Sequence, residues 1–164
     1  MMNSSIAVSS VKLYRRAAVA FVLLVACPFG LSMINLTFAQ SWKVHFFPAV
    51  VILAAIIYGS AGGLVAGIAG SLYSAILTGN PYLIGGNALF GLLTGIFYKK
   101  TDKIIMSVIL AFICELPWLI VTDHYFMRLS AEFIAKLVIV LFLANLFWSA
   151  LIRLLDRPLR KLLC

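Results

Sequence analysis

The sequence predicts an all-α integral membrane protein, a bundle of six transmembrane helices with both termini in the cytoplasm. Of its 164 residues, 64% are hydrophobic and only 11% are charged, and the mean hydropathy is +1.12. A soluble domain of average composition carries about 25% charged residues, so this chain has too few to cover a surface that faces water. The apolar residues form six segments, and basic residues cluster beside them. The length predicts one membrane domain, residues 1–164, without a separate soluble catalytic domain.

The six predicted helices span residues 17–38, 47–58, 62–78, 84–98, 104–121 and 131–155. The second, third and fourth are shorter than the roughly 20 residues of a full span, so we expect incomplete spans or helices packed inside the bundle. The first segment has an alternative interpretation, because KLYRRAAVAFVLL is typical of a signal peptide and LVAC, ending at Cys27, fits a lipoprotein cleavage box. We favour an uncleaved helix, since the apolar sequence continues well beyond the usual 7–15 residues of a signal core.

Basic residues predict the orientation of the bundle. With six spans and a cytoplasmic N-terminus, two of the thirteen Lys and Arg residues, Lys43 and Arg128, lie in external loops, and Lys136 lies within the last helix. The other ten lie on the cytoplasmic side: Lys12, Arg15, Arg16, Lys99, Lys100, Lys103, Arg153, Arg157, Arg160 and Lys161. This asymmetry follows the positive-inside rule. It also explains the net charge of +8 without nucleic-acid binding.

Glycines define the third and fourth helices. Gly59, Gly63 and Gly67 recur every four residues in IIYGSAGGLVAGIAGSLYSAIL, and Gly91 and Gly95 form a second row that Asn87 begins. Small residues at this spacing let two helix backbones approach closely, so we predict that these five glycines pack helices. The alternative, a phosphate-binding loop, requires a different glycine spacing and a following lysine, and neither is present.

Polar residues inside apolar segments are costly in a membrane and therefore indicate function. Glu115 lies in the fifth segment, Glu132 and Lys136 share one face of the sixth, and Asn145 lies deeper in the sixth. The predicted external loops QSWKVHFF, GNPYLIGG and TDHYFMR add polar and aromatic groups at the same end. We therefore predict a substrate pocket open to the outside, with Glu115, Glu132 and Lys136 as polar anchors. The pocket or its lid would also contain Trp42, Tyr82, Asn87, Trp118, His124, Tyr125 and Asn145.

Each of these assignments has a simpler alternative. Glu132 and Lys136 could neutralise each other, and Trp42 and Trp118 could be interfacial aromatic anchors.

Hydrolytic and metal-binding motifs are absent from the sequence, as is Cys-x-x-Cys, so we expect a protein that is not an enzyme and that holds no metal or cofactor.

Residues 47–100, from FPAVV to FYKK, resemble the central part of the substrate-binding S components of energy-coupling factor (ECF) transporters. The similarity lies in a Tyr58-Gly59 turn, a glycine-rich third helix and a fourth helix that runs from Gly91 to basic residues. The segment LSAEFIAKLVIVLFLANLFW also resembles the start of the last helix of that family, with Glu132 and Lys136 at its polar positions. The resemblance as a whole covers about two-thirds of the chain, and these two regions account for 74 of its 164 residues.

The resemblance implies a plasma-membrane protein that captures a vitamin-like micronutrient between its last three helices and its outer loops. It also implies a transmembrane coupling subunit and two ATPase subunits as partners, beside the surrounding lipid. S components usually dock through Ala-x-x-x-Ala on the first helix, and the row here is Ala18, Val22, Ala26 and Gly30. The alternative function is a membrane sensing or scaffold module that transports nothing.

Overall fold

The computed structural model describes the backbone of residues 14–38 and 42–163 and the side chains of residues 14–34 and 45–154. The described chain is helical apart from one hairpin. Its elements are α1 (Tyr14–Ser32), β1 (Asn35–Phe38), β2 (Trp42–His45), α2 (Phe47–Thr78), α3 (Tyr82–Thr101), α4 (Ile104–Phe126) and α5 (Ala131–Leu163). Four of these described helices, α1, α2, α4 and α5, are long and apolar enough to cross a membrane. The prediction of an all-α, multi-pass membrane protein is confirmed at this level.

Helix α2 is broken at Gly59, whose φ of +72° and ψ of −161° lie outside the helical region. Only glycine adopts this backbone conformation readily. A Cβ built on Gly70 would lie 2.5 Å from the ring of Phe47, although 23 residues of straight helix would separate the two by about 34 Å. Helix α2 therefore folds back on itself as two arms, residues 47–58 and 60–78. The break falls between the predicted second and third segments, and the six-span topology itself stays a prediction.

The second arm of α2 packs against α3 through glycines on both helices. A Cβ placed on Gly63 would overlap the carbonyl oxygen of Gly91, and one on Gly91 would overlap that of Gly63. One turn further along, a Cβ on Gly67 would overlap the carbonyl oxygen of Asn87. At the other end of the same seam, a Cβ on Gly95 would overlap the backbone of Ser60. The two backbones are in direct contact, with no space for any side chain between them.

The apolar core lies where both arms of α2, α3, α4 and α5 meet. Ile52 and Val51 from the first arm are fully buried, as is Val108 from α4, and they contact Phe90 of α3 and Trp148 of α5 in one cluster. The end of α3 and the turn after it carry Lys99, Lys100 and Lys103, and we call this end of the bundle the basic end. The opposite end carries the β-hairpin and the turns at residues 79–81 and 127–130, and we call it the hairpin end.

Strands β1 and β2 form an antiparallel hairpin that connects α1 to α2, with Asn35 opposite His45. Helix α4 finishes at the hairpin end with one π-helical turn, Thr122–Phe126, five residues after Pro117. Pro117 itself lies within the α-helical part of α4, and its effects on hydrogen bonding and packing fall on the turn that precedes it. These irregular segments surround the site described next.

Candidate functional site

A cavity of about 230 Å³ opens in the hairpin end of the bundle. Both arms of α2 contribute to its wall, together with the first half of α3, the second half of α4 and the middle of α5. Most of its surface is apolar or aromatic, and a few polar side chains interrupt it. The lining residues are His45, Phe47, Pro48, Ser74, Tyr82, Leu83, Gly86, Asn87, Phe90, Phe112, Glu115, Trp118, Leu119, Thr122, Asp123, Leu137, Val140, Leu141, Ala144 and Asn145.

Two glycines at the start of α3 bring Glu115 and Trp118 of α4 into the cavity wall. A Cβ on Gly86 would lie 3.2 Å from the carboxylate Oε1 of Glu115 and 3.3 Å from the Trp118 ring. A Cβ on Gly85 would lie only 2.6 Å from the same indole. The indole N–H of Trp118 donates to the carbonyl of Tyr82 at 3.2 Å, which fixes the ring across the α3 terminus. Because Gly85 and Gly86 have no side chains, Glu115 and Trp118 of α4 can pack directly against the backbone of α3.

Three polar side chains line this cavity without a hydrogen-bond partner among the described residues. Glu115 and Asn145 are each only 9% exposed, and no described group donates to or accepts from either side chain. The hydroxyl of Ser74 is buried and also has no partner within the described residues. A buried polar group without a partner costs about 1–3 kcal/mol, and a charged one costs more. The cavity therefore offers unused hydrogen-bonding capacity to whatever enters it, water included.

The rim of the cavity is held by polar contacts between elements. Asn80, in the turn before α3, donates from its side-chain amide to the carboxylate of Asp123 at 3.2 Å, and both residues are buried. The side-chain oxygen of Asn80 accepts from the backbone N–H of Tyr82 at 3.1 Å. The ring of Tyr82 contacts that of Phe126 with centroids 5.0 Å apart. These contacts join the turn before α3 to the end of α4 on one side of the opening.

Five of the residues predicted to bind substrate meet in this cavity: Tyr82, Asn87, Glu115, Trp118 and Asn145. They come from three helices and are separated by up to 63 positions in the sequence. Asn87 donates to the Leu83 carbonyl one turn earlier in α3. Thus the polar residues that interrupt the fourth, fifth and sixth apolar segments converge on one site.

The other predicted binding residues do not line the cavity. Lys136 and Glu132 form a salt bridge at 2.6 Å on the outer face of α5, where their side chains are 60% and 79% exposed. Tyr125 is 71% exposed, and His124 is exposed with its ring against Tyr125. The structure thus corresponds to the simpler alternative for Glu132 and Lys136, mutual neutralisation. The side chain of Trp42 lies outside the described residues.

The cavity also contains residues that the sequence did not single out, chiefly Ser74, Asp123 and Phe112. Asp123 lies in TDHYFMR, which was predicted to be an external loop and in the structure begins with the last turn of α4. An acidic residue directly after an apolar segment was the signal that could have identified it. Ser74 follows Gly70 and Ser71 in a row of small residues and has no distinguishing feature in the sequence. Phe112 is one of many apolar residues in α4, and only the packing shows that it faces the cavity.

Two of the lining side chains are acids. Glu115 and Asp123 contribute carboxyl groups, and no Lys or Arg is found among the lining residues that the structure describes. Over the described part of the chain, no three His, Cys, Asp or Glu residues come together in a group that could hold a metal ion. The site offers carboxyl oxygens together with the Ser74 hydroxyl and the Asn145 amide, which can donate as well as accept, and these groups are set among aromatic faces.

No family model, curated protein or solved structure matches the chain.

Proposed function

We propose that this protein is the substrate-binding membrane subunit of an uptake transporter for a vitamin-like small molecule. The observation that supports it is the cavity, in which buried polar groups without partners are set in an apolar wall. Ligand sites are typically concave and mostly apolar, with a few polar groups that fix orientation. Intramembrane polar residues are expensive, so three of them around one space are better explained by a ligand than by packing.

The proposed direction of transport rests on charge. The positive-inside rule assigns the basic end, with Lys99, Lys100 and Lys103, to the cytoplasm. The hairpin end and its cavity would then face the outside of the plasma membrane, where a scarce nutrient is captured. In this arrangement the glycine seam would let α2 and α3 move relative to each other when the cavity changes from facing outward to facing inward.

Energy would come from other chains, since the sequence carries no nucleotide-binding motif. We propose a transmembrane coupling subunit and two ATPase subunits as partners. The first helix offers a surface for them, because Ala18, Val22, Ala26 and Gly30 are all exposed along α1. This row is the position at which the ECF resemblance expects docking.

Binding to the purified protein tests this function. The protein is reconstituted in nanodiscs and titrated calorimetrically with a panel of vitamins and nucleobases, and co-purified ligand is identified by mass spectrometry. We expect one compound class to bind, and Glu115→Gln to weaken that binding on the order of tenfold or more, because a hydrogen bond to a charged group is lost. The matched control is Glu132→Gln, which alters the exposed acid of α5 and is expected to leave affinity unchanged.

Failure of every compound to bind, together with the absence of any co-purified ligand, would contradict the proposal. Equal effects of Glu115→Gln and Glu132→Gln would contradict the assignment of the site. Affinity purification from native membranes separates transport from the alternative: a coupling subunit with ATPases supports uptake, whereas a signalling protein supports the sensing or scaffold function.

A further inference from the structure

We propose that the ligand is a small flat molecule that directs a cationic or multiply N–H-donating nitrogen group at Glu115. This proposal rests on the proposed function and specifies the chemistry of its substrate. The sequence predicted Glu115, Glu132 and Lys136 as polar anchors for the ligand. The structure removes the lysine from the site, and the expected ligand changes accordingly.

The polar side chains around the cavity favour a hydrogen-bond donor. The lining carboxyl groups belong to Glu115 and Asp123, and that of Asp123 already accepts from Asn80. His45, at the end of β2, is the one titratable nitrogen base among the described lining residues. Lys136 lies on the outer face of α5 and is occupied by Glu132. Glu115 is thus the buried acid available to a ligand, and a donor or cation is its natural complement.

Helix termini do not reverse this preference. Helix α3 begins at the cavity, and free N–H groups at a helix N-terminus attract anions. Here the first of them are used within the protein: Tyr82 N–H donates to the Asn80 side chain, Leu83 N–H to the Asn80 carbonyl and Ile84 N–H to the Pro81 carbonyl. These three backbone N–H groups are therefore not available to an anionic ligand.

The shape of the cavity favours a compact aromatic or heterocyclic body. Its volume of about 230 Å³ is below the 300–1,000 Å³ typical of sites for drug-sized ligands. Rings from Tyr82, Phe90, Phe112 and Trp118 line it. Aromatic faces stack on flat ligands and attract cations, so both features of the proposed ligand have a counterpart in the wall.

The test uses three probes of one size and shape that differ in charge: benzamidine, a cation with several N–H donors, neutral benzamide, and anionic benzoate. Dissociation constants are measured by ligand-observed NMR titration of the protein in nanodiscs, with empty nanodiscs as the background. We expect benzamidine to bind at least tenfold more tightly than benzoate, with benzamide between them. Glu115→Gln is expected to weaken benzamidine on the order of tenfold and to change benzamide by less than about threefold, whereas Glu132→Gln should change neither.

The charge series on the unmodified protein keeps the test informative if Glu115→Gln fails to fold. Benzoate binding as tightly as benzamidine, or an anionic compound in organic extracts of the purified protein, would overturn the proposed ligand class and leave the uptake function standing. No binding by any of the three probes, together with no extractable ligand, would overturn the uptake function and the ligand class with it.

Discussion

Ala144 is a lining residue of α5, and its small side chain leaves space that a ligand would occupy. We expect Ala144→Phe to fill part of the cavity and weaken ligand binding on the order of tenfold or more. The bundle should remain folded, because the added ring enters an existing space rather than a packed core. Calorimetric titration measures the loss of binding, and thermal unfolding in detergent measures stability.

The control for this substitution is Ala150→Phe, the same change on the exposed face of the same helix. It should leave affinity unchanged, since Ala150 lies outside the cavity. Retained binding in Ala144→Phe, with stability equal to that of Ala150→Phe, would mean that the ligand site lies elsewhere.

Single residues also show what the sequence could and could not predict about the site. Glu115, Asn87 and Asn145 could be identified from the sequence, because a polar side chain in a membrane helix is energetically costly and is therefore usually retained for function. Lys136 met the same criterion, but it forms a salt bridge with Glu132, four residues earlier, on the outer face of α5. Spacing shows that two residues share a face, but the direction of that face depends on how the helices pack. The cavity position of Ser74 depends on packing in the same way.

At the scale of the elements, the glycine seam between α2 and α3 is the tightest contact of the fold. We expect Gly63→Ala to lower the free energy of unfolding by about 1–3 kcal/mol or to prevent assembly, because its Cβ would overlap the Gly91 backbone. The obstacle is main chain, which cannot rotate away as a flexible side chain can. Thermal unfolding in detergent, followed by tryptophan fluorescence, measures the effect.

Gly30→Ala in α1 is the control, because a Cβ there meets nothing within 4 Å. It should preserve stability or raise it slightly, since alanine favours helix over glycine by up to about 1 kcal/mol. If Gly63→Ala unfolds at the same temperature as the unmodified protein, the direct backbone contact does not exist in the membrane.

The sequence indicated these elements to different degrees. The four-residue spacing of small residues predicted which helix faces could approach, and Gly63, Gly67, Gly91 and Gly95 lie in the seam. Gly59, which was also predicted to pack helices, forms the break in α2, and a Cβ there would meet nothing within 4 Å. A Tyr58-Gly59 turn was expected from the resemblance to S components, and Gly59 breaks α2 at that position. The β-hairpin at residues 35–45 was missed, because the first apolar segment was read as continuing to residue 38. The alternation of polar and apolar residues in Asn35–Phe38 is typical of a strand. The π-helical turn at the end of α4 was also missed, because residue spacing does not distinguish a single π-helical turn from α-helix.

The molecule as a unit has two chemically different ends. The basic end carries lysines at the turn between α3 and α4, and the hairpin end carries the cavity, the acid pair Glu115 and Asp123, and the Asn80 contact that closes its rim. Since each helix or arm of the described bundle connects one end to the other, the orientation of any single turn fixes the side of the membrane on which the cavity opens.

Two positions suit a test of that orientation, because they are exposed, lie in turns at opposite ends and share the same backbone conformation. Asp102 has φ of 52° and Arg128 has φ of 55°, and cysteine should strain the two turns equally. The native cysteines at 27, 114 and 164 are first replaced by alanine, and each turn then receives one cysteine.

In intact cells, a membrane-impermeant maleimide is expected to label Arg128→Cys and to leave Asp102→Cys unlabelled until the membrane is permeabilised. The reverse pattern would place the cavity on the cytoplasmic side and contradict capture from outside, whereas labelling of both positions would show that the two turns lie on one side and that α4 does not span the membrane.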